Sequence, residues 1–479
     1  MVFQHALAYS LFTVLPALAS VITLSLFTRL MSPVEFAEYS LTIYVSTVLV
    51  SIFTNFLIIG LGRFEPAFTS AQERKSLHST ILVVVLFINI LLAVILVTLY
   101  VNNILPDLSI NYFQLAIIFQ VSVLLLLTQK LANAKLLPKA YGYSQFLKNY
   151  LFLALGCMCL LFGFDVNAVL VCFSIASLFA LLPALNLWDK TSFRSFDKKI
   201  LRTLWSYGAP LTLLYLFVMV IGLSDRIFID VMLGGHEVGL YSAGYDFSQY
   251  SIGVLGTIVH LALFPMIIKS YEDRQIENTQ ILLLITVKLL FLIILPVSLG
   301  FIVTRYEISN LFLGNDFSAA ASHLIPIFSL TVLAHTIKSY YFDYSFQIAK
   351  ATWFQLIPPF VAAAVNCILN YFLILSFGLV GAAYATLIAS LVYLVLTVFL
   401  ANRIFALPRF PYLFSVKVSF SAVLMAIIIE LFPDLNSLIF SLILKVVLGS
   451  LIYFGLLYLS LRMEILKLIQ DARRLRSGS

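Results

Sequence analysis

Charged side chains are scarce in this chain of 479 residues, and several of them stand where water should be absent. Lys288 and Lys338 lie deep inside long apolar runs; Asp225, Asp246 and Asp343 are carboxylates within or at the edge of such runs; and Arg29, Arg63 and Arg226 stand near the ends of others. A charge held in hydrocarbon costs about 2.5 kcal/mol or more, so each of these groups needs an opposite charge, a wet cavity or a bound ion. Two chemistries are open. The lysines and arginines can compensate an anionic cargo, and the rigid donor fork of Arg suits phosphate in particular. Each carboxylate can bind a coupling cation or pair with a lysine. His335, three residues before Lys338, and Phe342, four after it, give one helix a polar and aromatic face that belongs against protein or water, not lipid. Asn366 and Asn370 stand one helical turn apart and share a face, which suits hydrogen bonds between helices or to a ligand's hydroxyls.

Other charges read as bystanders. Lys148 and Lys417 lie within two turns of a span's end and can snorkel to the interface. Lys445 falls in a terminal helix pair and is expected to lie outside any cargo site. Asp225 and Arg226 are sequence neighbours, so they point to different faces of their helix. The four cysteines, Cys157, Cys159, Cys172 and Cys367, sit in apolar runs and read as buried spectators, neither a disulfide framework nor a metal site. There is no Walker A loop, no His-Glu-x-x-His and no nucleophile constellation, so no catalytic role and no cofactor are assigned. A polytopic enzyme would want a large outer loop with catalytic Arg or His, and the longest outer loop, near 305–322, holds only Arg305, Glu307 and Asp316 as charges.

The elements that must position these residues are membrane helices. With 62% hydrophobic and 11% charged residues and a mean hydropathy of +1.05, the chain is too apolar for a soluble globule. Its long uninterrupted runs exclude a β-barrel, whose strands alternate over short segments. A spanning helix needs about 20 apolar residues. Spans are expected near 7–29, 39–61, 79–102, 110–129, 141–163 and 166–188, then near 205–226, 242–267, 279–304, 323–346, 354–376 and 380–401, with a last pair near 413–432 and 437–461. The first lacks a basic flank and a small-residue cleavage site and is read as retained.

Fourteen spans put both termini on one side, and basic residues choose it. Loops on that side are crowded with them, from Arg63, Arg74 and Lys75 through Lys190, Arg194, Lys198 and Lys199 to Arg473, Arg474 and Arg476, while the opposite loops hold only Arg29, Arg226 and Arg305. The positive-inside rule therefore predicts cytoplasmic termini. The same asymmetry accounts for most of the net charge of +7 without a nucleic-acid partner. The linker 189–204, with Phe193, Phe196, Ile200 and Leu204 on one face, reads as a helix lying in the cytoplasmic interface.

The chain is also doubled. Thr28–Ser40 and Asp230–Ser242 share Glu, Tyr and Ser at a constant offset of 202 residues, and Phe162-Gly163 with Ile175–Leu178 is echoed by Phe377-Gly378 with Ile388–Leu391. An even number of spans per copy gives parallel repeats, as in transporters built from two bundles. The expected organisation is an all-α polytopic membrane protein of 14 helices. It comprises a six-helix bundle over 1–188, a linker over 189–204, a second six-helix bundle over 205–402 related by pseudo-two-fold symmetry, an added pair over 403–461, and a basic tail over 462–479.

Arg29, Pro33 and Glu35, then Ser224-Asp225-Arg226, Gly234-Gly235, Glu237–Tyr245, Leu313-Gly314 with Phe317 and Ala319, Asn366–Asn370 and Phe377–Ala383 stand in a recognisable order. In that order and spacing the chain resembles the bacterial polysaccharide (O-antigen type) flippases of the multidrug/oligosaccharidyl-lipid/polysaccharide exporter superfamily, over nearly its whole length. One departure is Phe36-Ala37, where the family tends to have Gly before the Tyr. The resemblance implies a monomeric transporter of the bacterial inner membrane that carries undecaprenyl-pyrophosphate-linked oligosaccharide outward by alternating access, with H+ or Na+ coupling as an option and the polysaccharide polymerase machinery as a further partner. It would place the pyrophosphate among Arg29, Arg63, Arg226, Lys288 and Lys338, and ions or charge pairs at Asp225, Asp246 and Asp343. A drug/cation antiporter of the same superfamily is the alternative, although such proteins usually stop at twelve spans and rely on acidic cavity residues.

Overall fold

Apolar runs of this length leave the backbone no partner but itself, and in the computed structural model of the protein the described residues form helices and no strand. The structure describes residues 2–68, 70–102, 108–188, 192–351, 353–433, 435 and 437–477; of 2–13, 100, 193, 462, 463 and 465–477 it describes only the backbone. In chain order the helices are α1 (Val2–Leu30), α2 (Pro33–Phe64), α3 (Ala71–Val101), α4 (Tyr112–Ala134), α5 (Pro138–Leu161), α6 (Val166–Phe179), α7 (Lys198–Leu233) and α8 (Gly235–Ser248). They continue with α9 (Val254–Glu272), α10 (Ile276–Val303), α11 (Arg305–Phe312), α12 (Asn315–Ile337), α13 (Asp343–Ile348), α14 (Ile357–Ile404), α15 (Tyr412–Glu430) and α16 (Leu438–Ser477).

Among the described residues eleven helical segments are long and apolar enough to cross a membrane, so the protein is a multi-pass membrane protein. One of the eleven, Phe354–Ile404, holds two expected spans. The break is at Gly378, whose φ of 56° with ψ of −137° only glycine adopts without strain, so α14 is two helices in tandem. With the apolar stretch Val14–Leu30 of α1 and with α7, the fourteen expected spans all have helices.

Packing divides the chain into two compact units, Met1–Ser242 with Asn366–Leu375 and Ala243–Val365 with Ser376–Ser479. In the first unit, α2 opens on a capping box: the Ser32 side chain accepts from the Glu35 backbone N–H, and the Glu35 carboxylate accepts from the Ser32 N–H at 2.8 Å. Helix α7 packs along α2 because glycine lets the backbones approach. A Cβ on Gly208 would overlap the backbone of Phe56, and in α8 one on Gly239 would overlap the carbonyl of Pro33 at the start of α2. The second contact joins the two copies of the repeated segment. Ala37, at the position matching Gly239, is itself fully buried. Gly239→Ala is therefore expected to cost about 1–3 kcal/mol through overpacking, read as a lower thermal midpoint of the purified protein in detergent; an unchanged midpoint would refute the close approach.

The interfacial helix expected over 189–204 is not a separate element. Residues 189–191, Lys190 included, lie outside the described residues, and the chain then enters α7, which runs unbroken from Lys198 into the span. Leu204 is fully buried against Gly60 and belongs to the core of the unit. The segment is tied to α3 instead: Ser192 N–H donates to Ser79 Oγ at 3.1 Å and Asp197 N–H to Thr80 Oγ1 at 3.0 Å. An amphipathic pattern suits the first turns of a span that packs on one side as well as a separate surface helix: Leu204 is buried while Phe196 and Trp205 are exposed. Of the basic tail, 478 and 479 lie outside the described residues, as do the side chains of Arg462, Lys467, Arg473, Arg474 and Arg476.

In the second unit α10 is central, with α9, α12 and α15 against it. Leu283, Val287, Leu290 and Ile294 of α10 are buried with Ile252, Val259, Tyr341 and Phe346. The terminal pair is held there too: Phe414, Val418, Met425 and Tyr453 form an apolar cluster against Leu292, Leu295 and Leu299, and Tyr453 Oη donates to the Leu292 carbonyl at 2.8 Å. Two π turns, Gln249–Gly253 and Lys338–Phe342, interrupt the α8–α9 and α12–α13 helices.

Candidate functional site

Asp225, on α7, is fully buried, and its carboxylate accepts from at least three neutral donors. Its Oδ2 accepts from Tyr241 Oη at 2.8 Å, and its Oδ1 accepts from Asn366 Nδ2 at 2.9 Å and Asn370 Nδ2 at 2.7 Å. Both asparagines are fully buried on the stretch of α14 that belongs to the first unit. Their shared face, read from a spacing of one turn, is thus a carboxylate receptor. Ser224 Oγ donates to Asn366 Oδ1 at 2.6 Å, while Asn370 Oδ1 is buried with no hydrogen-bond partner among the described residues. The carboxylate is an acceptor for a proton or a hard oxygen ligand for a small cation.

Arg226 is fully buried as well. Its Nε donates to Ser242 Oγ at 3.1 Å, its Nη1 donates to the Gly222 carbonyl at 3.0 Å, and its guanidinium lies 4.3 Å from the centre of the Tyr44 ring. So Tyr241 and Ser242, two of the residues repeated from Tyr39 and Ser40, receive the neighbouring Asp225 and Arg226. Neither tyrosine nor serine was singled out for a role from sequence, although the repeat marked both. Tyr44 left no signal, because one tyrosine on a helix of apolar residues looks like any other.

The second unit holds the other buried charges. Lys338 Nζ lies 2.9 Å from Asp343 Oδ2 and 3.8 Å from the centre of the Tyr393 ring. His335 is half-buried one turn earlier on α12, and Lys288 is half-buried with its ammonium 5.1 Å from the Phe414 ring centre. Asp246 is half-buried at the end of α8. Of the arginines, Arg29 and Arg63 are exposed at the ends of α1 and α2. The structure thus brings Asp225, Asn366 and Asn370 together in one unit and Lys338 with Asp343 in the other. Among the described residues no cluster of three or more His, Cys, Asp or Glu could hold a metal ion.

The family described as polysaccharide biosynthesis protein matches residues 2–271, more than half the chain. This chain belongs to that family. A curated relative, the probable low-salt glycan biosynthesis flippase Agl15 of Haloferax volcanii, is 25% identical over 174 residues; the match covers 36% of this chain and 36% of that protein. Among solved structures, lipid II flippase MurJ in an inward closed conformation aligns with a TM-score of 0.78 at 15% identity, over 95% of this chain and 99% of that one. An outward-facing multidrug resistance transporter of the MATE family aligns with a TM-score of 0.61 at 14% identity, over 84% of this chain and 95% of that one. These likenesses show that the chain has the fold of these transporters.

The first unit also carries a polar cluster. Glu65, at the end of α2, is buried, and its Oε2 lies 2.9 Å from His78 Nε2 on α3 while its Oε1 lies 3.5 Å from Lys135 Nζ. Burial pushes the Glu65 carboxyl up, but the His78 hydrogen bond and charge, with Lys135, outweigh it and hold the group below its ordinary value. Lys135 also donates to the Leu187 carbonyl at 2.6 Å, and the Trp188 indole meets His78 edge-on at 5.2 Å. The cluster pins the end of the sixth span to α2 and α3. Its members are scattered from 65 to 188, so no local pattern announced it. Cys159 and Cys172 are likewise brought within 3.1 Å, thiol to thiol, across the α5–α6 hairpin.

Proposed function

We propose that the protein moves an undecaprenyl-pyrophosphate-linked oligosaccharide, an O-antigen or capsule repeat unit, from the cytoplasmic to the periplasmic leaflet of a bacterial inner membrane by alternating access. The observation that carries this reading is membership of the polysaccharide biosynthesis family in a chain with a transporter fold. A relative described as a glycan biosynthesis flippase supports it. The match spans only 36% of that relative, so its activity is part of the proposal. Both termini are cytoplasmic in this reading, the working form is a monomer, and the polymerase machinery receives the product.

The pyrophosphate needs cations, and Arg29, Arg63, Lys288 and Lys338 are the candidates. Arg226 is better placed as scaffold, since its guanidinium is buried on Tyr44, Ser242 and Gly222. Coupling is assigned to Asp225, where the carboxylate would take Na+ or H+. Disrupting the protein is expected to make lipid-linked repeat units accumulate on the cytoplasmic face without changing drug susceptibility. Unaltered lipid-linked pools together with drug sensitivity would overturn this in favour of a drug/cation antiporter.

A further inference from the structure

The Lys338–Asp343 pair is unusual in what it connects. Residues five apart on an α-helix point about 140° away from each other, since each residue turns the chain by about 100°. A π turn closes i to i+5 and stacks such residues on one side. The pair therefore exists because Lys338–Phe342 is a π turn, and the turn in return is clasped by the pair. Other ion pairs of this unit have a plain structural reason: Lys445 with Glu307, and Arg305 with Glu430, each join separate helices. Lys338 and Asp343 join only the two ends of their own turn.

Nor is the pair well satisfied. Asp343 Oδ1 is buried with no hydrogen-bond partner among the described residues, so half of the carboxylate's acceptor capacity is desolvated for no return. Lys338 is 3% exposed and has among the described residues, beyond one carboxylate oxygen, only Tyr393, through its ring face and its hydroxyl. Buried ion pairs of this quality contribute little to stability compared with apolar side chains of the same volume. An anion with more charge and several acceptor oxygens, such as a phosphate or pyrophosphate group, is a stronger partner for an ammonium than a carboxylate with one idle oxygen.

We propose that Asp343 is a built-in competitor for the cargo: it masks Lys338 in the state described here, and a pyrophosphate borne on a lipid displaces it, releasing the π turn. The exchange is non-covalent. The N–H···O bond from Lys338 to Asp343 breaks, one from Lys338 to a phosphoryl oxygen forms, the i to i+5 clasp is lost, and the displaced Asp343 carboxylate takes up a proton from water, because a buried carboxylate stripped of its partner costs about 3–5 kcal/mol. This inference rests on the reading of a pyrophosphate-linked cargo and names the contact that cargo must break.

The test is calorimetric binding of farnesyl pyrophosphate, with inorganic pyrophosphate as a second arm, to the purified full-length protein in detergent. Asp343→Asn, which removes the competing charge, is expected to bind farnesyl pyrophosphate about five-fold or more tighter than the wild type, the usual lower bound of a coupling between two sites. Equal or weaker binding by Asp343→Asn would overturn the masking role. The double variant Lys338→Met/Asp343→Leu replaces the pair by apolar groups of similar size and should fold; it is expected to lose the binding, and retention at wild-type strength would overturn the site. If Asp343→Asn does not fold, Asp343→Ser, which also removes the competing charge and keeps Lys338, is read by the same criterion. Inorganic pyrophosphate binding where farnesyl pyrophosphate does not would overturn the lipid-borne source. Absence of binding by both the wild type and Asp343→Asn would overturn the mask, while accumulation of lipid-linked repeat units on disruption still judges the flippase reading separately.

Discussion

Asp225→Ala is expected to abolish transport and to destabilise the first unit by several kcal/mol. The variant removes the acceptor for Tyr241 Oη, Asn366 Nδ2 and Asn370 Nδ2, which lie within 2.7–2.9 Å of the carboxylate. Each buried donor left without a partner costs about 1–3 kcal/mol. Tyr241, Asn366 and Asn370 are all fully buried, so water cannot readily replace the carboxylate. Asp225→Asn separates the two roles. It keeps the shape and one acceptor oxygen, so the stability loss should be smaller, but it cannot take up a proton and gives a cation no charge. The checks are thermal denaturation in detergent and a lipid-linked glycan transport assay across pH and sodium concentration. Full transport by Asp225→Asn with an unchanged ion dependence would remove Asp225 from coupling; a wild-type midpoint for Asp225→Ala would deny that the network is held by its carboxylate.

The second large effect is expected at Lys445. Its ammonium pairs with Glu307 of α11, which also accepts from Ser441 Oγ at 3.0 Å, and both charged side chains are about 95% buried or more. Lys445→Ala leaves the Glu307 carboxylate in the interior with one hydroxyl, and losing one member of a buried pair costs about 3–5 kcal/mol. The midpoint should fall accordingly. Replacing both, as Lys445→Met/Glu307→Leu, removes the stranded charge and should recover most of that loss. If the double variant is as unstable as Lys445→Ala, the ion pair is not what makes the position sensitive. Its job is to fasten α16 to the short helix α11, so transport by the double variant should persist.

The contrast between Lys445 and Lys338 shows where reading residues in order runs out. Both are lysines inside apolar runs and look alike in the chain. One is paired with an acid 138 positions away, the other with an acid five positions on. The expectation that intramembrane charges find partners holds for both, because desolvation makes it nearly obligatory. Which partner is taken depends on helix neighbours for Lys445 and on a π turn for Lys338. Helical periodicity assumes a regular repeat and so misses a contact that needs the repeat to break.

Span positions, including the gap between 376 and 380 into which Gly378 falls, the doubling of the chain and the shared face of Asn366 and Asn370 were all legible in the residues alone. Each depends on local quantities: the apolar length needed to cross a bilayer, or side chains one turn apart. What Asn366 and Asn370 are for was not legible. They face Asp225 across 141 and 145 positions of chain, and Glu65 meets His78 and Lys135 only because α2, α3 and the α4–α5 turn converge. The membrane determines what a sequence must do to span it, one helix at a time, so sequence by itself determined the spans and the repeat. Only tertiary packing decided which charge meets which, because burial makes the partner indispensable without saying from which helix it comes.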